Sequence, residues 1–415
     1  MRIEVVNIGT ELLLGKVTNT HAAYFGEQLF KLGLRIQRQT AIPDGDEIRV
    51  ALEESFPRSD VVLVTGGLGP TADDVTREVV AAMLGRELRL DAAIRDEIRE
   101  MFRKRRLKAS SSNDRQAMVP EGAEVLANPR GTAPGLYLAS DPEAGFPHLF
   151  LLPGPPRELR PMFETAVGPR LAGLRGEALL SNAWRNFRIY GIGESSLASK
   201  LEPRLSRIPN LELGYCARLG EVDLRLIGSP EAVDAASEIL RAEYGSHIAA
   251  ESEDSIAKVV LDLLVERRET VATAESCTGG LIASTLTDEP GSSAILGSAY
   301  VTYSNEAKTK ILGVPPEMLA EHGAVSDPVA RAMAEGCLRA SGADHAIAVS
   351  GIAGPGGGSD AKPVGTVHIA LAGRSEPTFS RRYLQPSDRT SFKLRVTRLA
   401  LDLLRRRLRG FSLDY

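Results

Sequence analysis

Apolar and polar positions change their period three times along this chain. Residues 3–8 read as a strand, 20–32 as a helix, 35–42 as a strand, 47–56 as a helix and 60–65 as an apolar strand covered on both faces. Strands separated by helices in this way predict a parallel α/β sheet. Between about 180 and 250 the rhythm is different: strand 184–190, helix 195–205, a strand pair 211–217 and 222–227, helix 230–244 and a short strand 246–249, together a small βαββαβ layer. The acidic run Ala250-Glu251-Ser252-Glu253-Asp254 then precedes an amphipathic helix over 255–265 and a second α/β pattern. That pattern closes with a helix over 388–409, in which Leu399, Leu403 and Leu404 have the spacing of a buried face. The fold class is therefore α/β: two α/β domains, 1–174 and 251–415, joined by a small α+β connector, 175–250.

In parallel sheets, ligands bind beyond the carboxyl ends of the strands. In the first domain these ends carry Gly9-Thr10-Glu11, Pro43-Asp44 and a loop running from Gly66 to Thr76. Gly66, Gly67 and Gly69 expose backbone amides, and Asp73 and Asp74 precede a helix over 76–84. One aspartate is expected to cap that helix, and the other to hold a metal ion or activate water. No dinucleotide or P-loop signature is present.

The last domain has three such strand ends. Thr-Val-Ala-Thr-Ala-Glu-Ser-Cys-Thr-Gly-Gly, 270–280, passes from a strand to a helix start and places Ser276 at the junction. Helix starts have free N–H groups, so Ser276 or Thr278 there either caps the helix or sits beside donors for an oxyanion or phosphate. Tyr-Val-Thr-Tyr-Ser-Asn-Glu-Ala-Lys, 300–308, offers Lys308 as a base; it can serve near neutral pH only if burial or positive charge lowers its pKa from ~10.4. Lys310 is the solvated helix lysine. Ser-Gly-Ile-Ala-Gly-Pro-Gly-Gly-Gly, 350–358, is a loop whose backbone can approach an anionic ligand closely. Cys277 has no histidine partner in these motifs, so Ser276 is the expected nucleophile.

Composition narrows the options. The chain has 415 residues, 43% hydrophobic and 25% charged, with formal net charge -4, so no basic excess points to general nucleic-acid binding. The basic runs 103–108 and 405–407 fall at helix ends, where positive charge complements the helix dipole. Cys216, Cys277 and Cys337 are too scattered for a disulfide framework or a zinc site, and no two of the six histidines have ligand spacing. A reduced cytoplasm is expected, since the start shows no signal-peptide pattern and no apolar run approaches the ~20 residues of a membrane span.

The three C-terminal motifs, in order, resemble the C-terminal domain of the CinA family, over about the last 160 residues. Ile-Pro-Asp at 42–44, Thr-Gly-Gly-Leu-Gly-Pro at 65–70, Asp-Val-Thr at 74–76 and Leu-Pro-Gly-Pro-Pro-Arg-Glu at 152–158 resemble the molybdopterin-binding fold of that family's N-terminal domain. The resemblance implies a KH-like connector, read as a spacer or dimer-forming element because a Gly-X-X-Gly clamp is absent at Gly191-Ile192-Gly193-Glu194. It implies a nicotinamide mononucleotide amidohydrolase in which Ser276 attacks, Lys308 is the base and needs no cofactor, and Tyr303 orients lysine or substrate. Amides around Thr278, Gly279 and Gly280 would hold the oxyanion, and Gly354, Gly356 and Gly357 the phosphate or ribose. For the N-terminal domain it implies metal-dependent ADP-ribose pyrophosphatase activity with Asp44 and Asp74 as functional acids. Gly66, Gly67, Gly69 and Thr76 would bind substrate there, and Asp74 and Asp73 a divalent cation. The expected partners are nicotinamide mononucleotide and ADP-ribose, in a homodimer, with neither nucleic acid nor membrane. Two alternatives stay open: a nucleotide-sensing competence or regulatory protein, and a molybdopterin-binding protein.

Overall fold

Strands β1 (Ile3–Ile8) and β3 (Val61–Thr65) are buried at every position, as strands covered by helices on both faces must be. The computed structural model describes residues 1–175 and 183–414. They belong to two compact units divided at residue 180. The start of the expected connector, from 176 to 182, and residue 415 lie outside the described residues.

The first unit adds β2 (Ile36–Ile42), β4 (Leu88–Leu90), β5 (Met118–Pro120), β6 (Glu124–Leu126), β7 (Gly135–Leu138) and β8 (His148–Leu152). Six of these strands form one sheet in the order β2-β1-β3-β8-β7-β6, while β4 and β5 pair separately. The strands β2, β1, β3 and β8 are parallel. The sheet is not parallel throughout, however, because β6, β7 and β8 pair antiparallel. Each of these is joined to the next by a loop without a helix, and a parallel return needs a crossover of a dozen or more residues, usually helical. One sheet face packs Phe25, Leu29 and Phe163, and the other packs Ile48, Leu52 and Val80.

The second unit contains two sheets. β9 (Ala183–Tyr190), β10 (Leu211–Arg218), β11 (Glu221–Gly228) and β12 (Ile248–Ala250) form an antiparallel sheet in the order β10-β11-β9-β12. Helices Glu194–Leu205 and Pro230–Tyr244 cover it through Leu201, Leu205 and Leu240, so the βαββαβ order is as expected. β13 (Val271–Glu275), β14 (Leu296–Val301), β15 (His345–Gly351), β16 (Thr366–Gly373) and β17 (Phe379–Leu384) form the other sheet, in the order β14-β13-β15-β16-β17. Only β14, β13 and β15 are parallel.

Helix Asp327–Ser341 lies on an alanine-lined face of this sheet, made by Ala272, Ala274, Ala346, Ala348, Ala370 and Ala372. Small side chains let a helix approach closely. The closing helix Arg389–Leu408 covers the opposite face through Phe392, Val396 and Leu403. Its arginines 405–407 do more than complement a dipole. Arg405 is fully buried, pairs with Asp402 at 2.7 Å, and donates to the carbonyls of Ile248 at 3.0 Å and Ser246 at 2.7 Å, tying the connector to the closing helix. Of the run 103–108, Arg103 and Lys104 do lie in the last turn of a helix, Ala92–Lys104, as read.

Gly336 marks the tightest helix contact near the site. A Cβ there would lie 1.9 Å from the carbonyl oxygen of Leu312, the last residue of helix Asn305–Leu312. Gly336→Ala is expected to destabilise the protein by about 1–3 kcal/mol, read as a lower urea midpoint at unchanged slope. Gly297→Ala, where an added Cβ meets nothing within 4 Å, should leave the midpoint within ~0.5 kcal/mol. An equal effect of the two would refute the contact.

Candidate active site

β13 is buried along its length and ends in Glu275. The Ser276 amide continues the pairing by donating to Val349 O at 3.1 Å, after which Gly279 and Gly280 take φ values of 65° and 93° that L side chains rarely adopt. Glu275 organises this turn. Its buried carboxylate accepts from Thr278 Oγ1 at 2.6 Å, Gly280 N at 2.9 Å, Ile282 N at 3.1 Å and Ala283 N at 2.9 Å. Three backbone donors of the helix start, those of Gly280, Ile282 and Ala283, are thus occupied within the chain. Neither Ser276 nor Thr278 caps helix Leu281–Thr287; Gly280 stands at the cap position without a side chain to do so. Nor do Thr278, Gly279 and Gly280 line the cleft beside Ser276, contrary to expectation. Among the described residues, the Cys277, Thr278 and Leu281 amides donate to no oxygen, and the first two are directed to the Cys277 sulfur.

Lys308 approaches from helix Asn305–Leu312, which Ser304 caps by accepting from Ala307 N at 3.1 Å. It is 1% exposed. Its Nζ lies 3.2 Å from Ser276 Oγ, 2.9 Å from Thr302 O and 3.1 Å from Tyr303 O, and none of these partners is a carboxylate. Burial lowers its pKa, because a charged ammonium loses its water there without gaining an opposite charge. Lys310 is exposed, as expected. Tyr303 takes part through its carbonyl; its side chain is 62% exposed, and its hydroxyl accepts from Arg389 Nη2 at 3.0 Å. Arg389 Nη1 also donates to Gly354 O at 2.9 Å. Gly354, Gly356, Gly357 and Arg389 border the cleft of about 290 Å³ that reaches Ser276 and Lys308. Burial pushes the Cys277 thiol up to about 12, which leaves it protonated at neutral pH.

Two participants were not singled out from sequence. Glu275 stood within a quoted motif, where an acid ending an apolar strand before glycines was the available signal. Arg389 is 86 residues from the tyrosine it holds, and nothing local marks it.

In the first unit, Asp44, Asp73, Asp74, Gly66, Gly67 and Gly69 line one cavity of about 400 Å³, joined by Glu11 and Glu158. Asp44 Oδ2 accepts from Thr10 N and Oγ1, each at 2.9 Å. Asp74 Oδ2 accepts from Thr71 N at 2.9 Å and from the Thr71 hydroxyl. A Cβ at Gly69 would lie 2.3 Å from that oxygen, so a side chain there would displace the Asp74 carboxylate. Neither Asp73 nor Asp74 caps helix Thr76–Met83; Val75 holds the cap position. Thr76 is not a cavity residue either: it is fully buried, and its hydroxyl donates to Gly66 O at 3.0 Å, fixing the loop from behind. Among the described residues, no three His, Cys, Asp or Glu side chains meet at a point that could hold a metal. Asp44 and Asp74 each keep Oδ1 clear of protein donors, which suits a hard cation completed by oxygens of a substrate.

Three family models match the chain in succession: "Probable molybdopterin binding domain" over 4–173, "Damage-inducible protein CinA KH domain" over 184–245 and "CinA C-terminal domain" over 253–408. A CinA-like protein of Akkermansia muciniphila is 48% identical over 97% of this chain and 96% of its own length. Another, of Dictyoglomus turgidum, is 40% identical over 98% and 99%. The solved competence/damage inducible protein from Agrobacterium tumefaciens is 45% identical, covering 36% of this chain and 91% of its own, with a TM-score of 0.36.

Of the three free cysteines, Cys216 is exposed and Cys277 and Cys337 are buried. A chromogenic thiol reagent should therefore modify one thiol rapidly in the folded protein and the remaining two only on denaturation. Rapid modification that is lost in Cys277→Ala would show Cys277 to be open and reactive.

Proposed function

This chain belongs to the CinA family, and from that premise we propose that its last domain is a serine–lysine amidohydrolase acting on nicotinamide mononucleotide. The products are nicotinic acid mononucleotide and ammonia. The observation that carries this reading is Lys308: buried, without a carboxylate partner, and 3.2 Å from Ser276 Oγ. A binding pocket for a neutral carboxamide has no use for a nucleophile paired with a desolvated base.

Ser276 Oγ attacks the carboxamide carbon while neutral Lys308 takes the hydroxyl proton. Of the amides at the turn, that of Cys277 borders the cleft and is the donor assigned to the oxyanion that forms. As the C–N bond breaks, Lys308 returns the proton to the leaving nitrogen, which departs as ammonia, and Ser276 is left as an ester. Water then attacks the ester carbon and gives a proton to Lys308. The ester C–O bond breaks, the proton passes back to Ser276 Oγ, and the free acid is released. Arg389 suits the ligand's phosphate, because a guanidinium has five donors and two are occupied here by Tyr303 and Gly354.

For the first domain the reading is a divalent-metal-dependent ADP-ribose pyrophosphatase. Asp44 and Asp74 would hold the cation together with substrate oxygens, and the cation would neutralise charge on the pyrophosphate and activate water. Asp73, lining the same cavity, is the lesser candidate. The family model over 4–173 favours a second reading for this domain, molybdopterin binding, which tightly bound pterin in the purified protein would support. A homodimer in a reducing cytoplasm completes the proposal.

Ser276→Ala and Lys308→Ala should each lower nicotinamide mononucleotide hydrolysis by about three orders of magnitude or more, and the double variant should be little worse, since groups acting in one step are not additive. Cys277→Ser should keep most activity. Full activity in Ser276→Ala with loss in Cys277→Ser would overturn the mechanism.

Because burial lowers the Lys308 pKa and the base must be neutral, the rate should rise with pH to a plateau reached below the free-lysine value of ~10.4. A plateau only above that value would exclude Lys308 as the base.

Asp74→Asn and Asp44→Asn should each abolish metal-dependent ADP-ribose cleavage and leave the amidase intact, whereas Asp73→Asn should hurt less. Unchanged cleavage in Asp74→Asn would remove that residue from the reaction.

A further inference from the structure

Within the second unit, a cavity of about 400 Å³ opens between the connector and the closing helix. One wall is the turn Gly191-Ile192-Gly193, which leads into helix Glu194–Leu205; a second is the β10–β11 turn; the third is Arg395 and Leu399 of the closing helix. It shares no lining residue with the Ser276 cleft.

Its charges are unevenly matched. Arg398 pairs with buried Glu221 at 3.3 Å and donates to the carbonyl of Leu219. Arg188 and Arg218 share the single carboxylate of Asp223, at 2.9 and 3.1 Å. Arg395 has no partner: its Nε is buried without an acceptor, and no carboxylate of the described residues pairs with it. Tyr190 donates to Glu221, so that acid is engaged from two sides. Glu194 also lines the cavity; it is exposed, so solvent screens its charge. Two guanidiniums, Arg218 and Arg395, and two carboxylates, Glu194 and Glu221, line the cavity; Arg218 is paired with Asp223 and Glu221 with Arg398, which leaves Arg395 as the lining cation without a carboxylate. The part of the Arg395 guanidinium that lines the cavity has no carboxylate to donate to, and an anion there would pair with it. Gly193, at the cap position of helix Glu194–Leu205, offers no side chain to the first amides of that helix, which leaves donors on the same cavity. Ile192, Val222 and Leu399 add apolar wall, and the volume is within the range of small-ligand sites.

We propose that this cavity binds a small organic phosphate, its phosphate on Arg395 and its apolar part against Ile192, Val222 and Leu399. The site is separate from both reactions proposed above and does not depend on them. Adenosine monophosphate, adenosine and inorganic phosphate are the probes, used on the full chain with hydrogen exchange as the readout. Adenosine monophosphate should protect amides over 191–197 and 218–222, with about tenfold weaker binding in Arg395→Gln and partial recovery in Arg395→Lys. Inorganic phosphate should bind more weakly, and adenosine should give no protection. Excess nicotinamide mononucleotide should not reverse the protection, and basal amidase activity should be unchanged in Arg395→Gln. Protection confined to the Ser276 or Asp74 loops, or protection over 191–197 that survives unaltered in Arg395→Gln, would overturn the site. Equal affinity for inorganic phosphate would overturn the organic ligand. Neither result would touch the amidase reading.

Discussion

One buried carboxylate sets the geometry on which the C-terminal cleft depends. Glu275 gathers three amides and a hydroxyl from the residues that follow it, folding the chain back on itself immediately after β13. Hydrogen bonds to a charged group contribute about 1.5–3 kcal/mol each, and leaving such donors unpaired in the interior would be similarly unfavourable. The turn is therefore held from inside by the residue next to Ser276. Since β13 is paired on both sides, by β14 and β15, the serine has little freedom to move.

The two α/β units share a plan. Each has parallel strands at its centre and two antiparallel strands added at one edge, β7 and β6 in the first unit and β16 and β17 in the second. In each, the candidate site gathers at the carboxyl ends of the parallel strands: Gly66 follows β3, and Ser276 follows β13. Branching between acid-lined and lysine-based chemistry then lies in the loops and not in the sheets.

Much of this was legible in the sequence because strand ends advertise themselves. Apolar runs stop, glycines begin, and Ser276, Lys308, Asp44 and Asp74 stand within a few residues of those breaks. Roles that depend on what faces a residue in space were not legible. Thr76 follows Asp74 closely and looks like a ligand, yet its hydroxyl turns inward to Gly66. Gly280 looks like an oxyanion donor, yet Glu275 takes its hydrogen. Arg389 belongs to the cleft only through the packing of the closing helix. The antiparallel edge strands were hidden for a different reason: a short apolar strand gives no local sign of its direction.

Lys308 links folding to chemistry through the proton. Its pKa is lowered by burial, so the folded state binds that proton less readily than the unfolded chain does. By linkage, the contribution of this residue is most favourable above the unfolded value of ~10.4 and is eroded as pH falls towards the lowered folded value. The species that is easiest to bury is the neutral amine, which is also the only form able to accept a proton from Ser276. The fold thus selects the reactive state of its own base, and acid that silences the residue also loosens the structure around it.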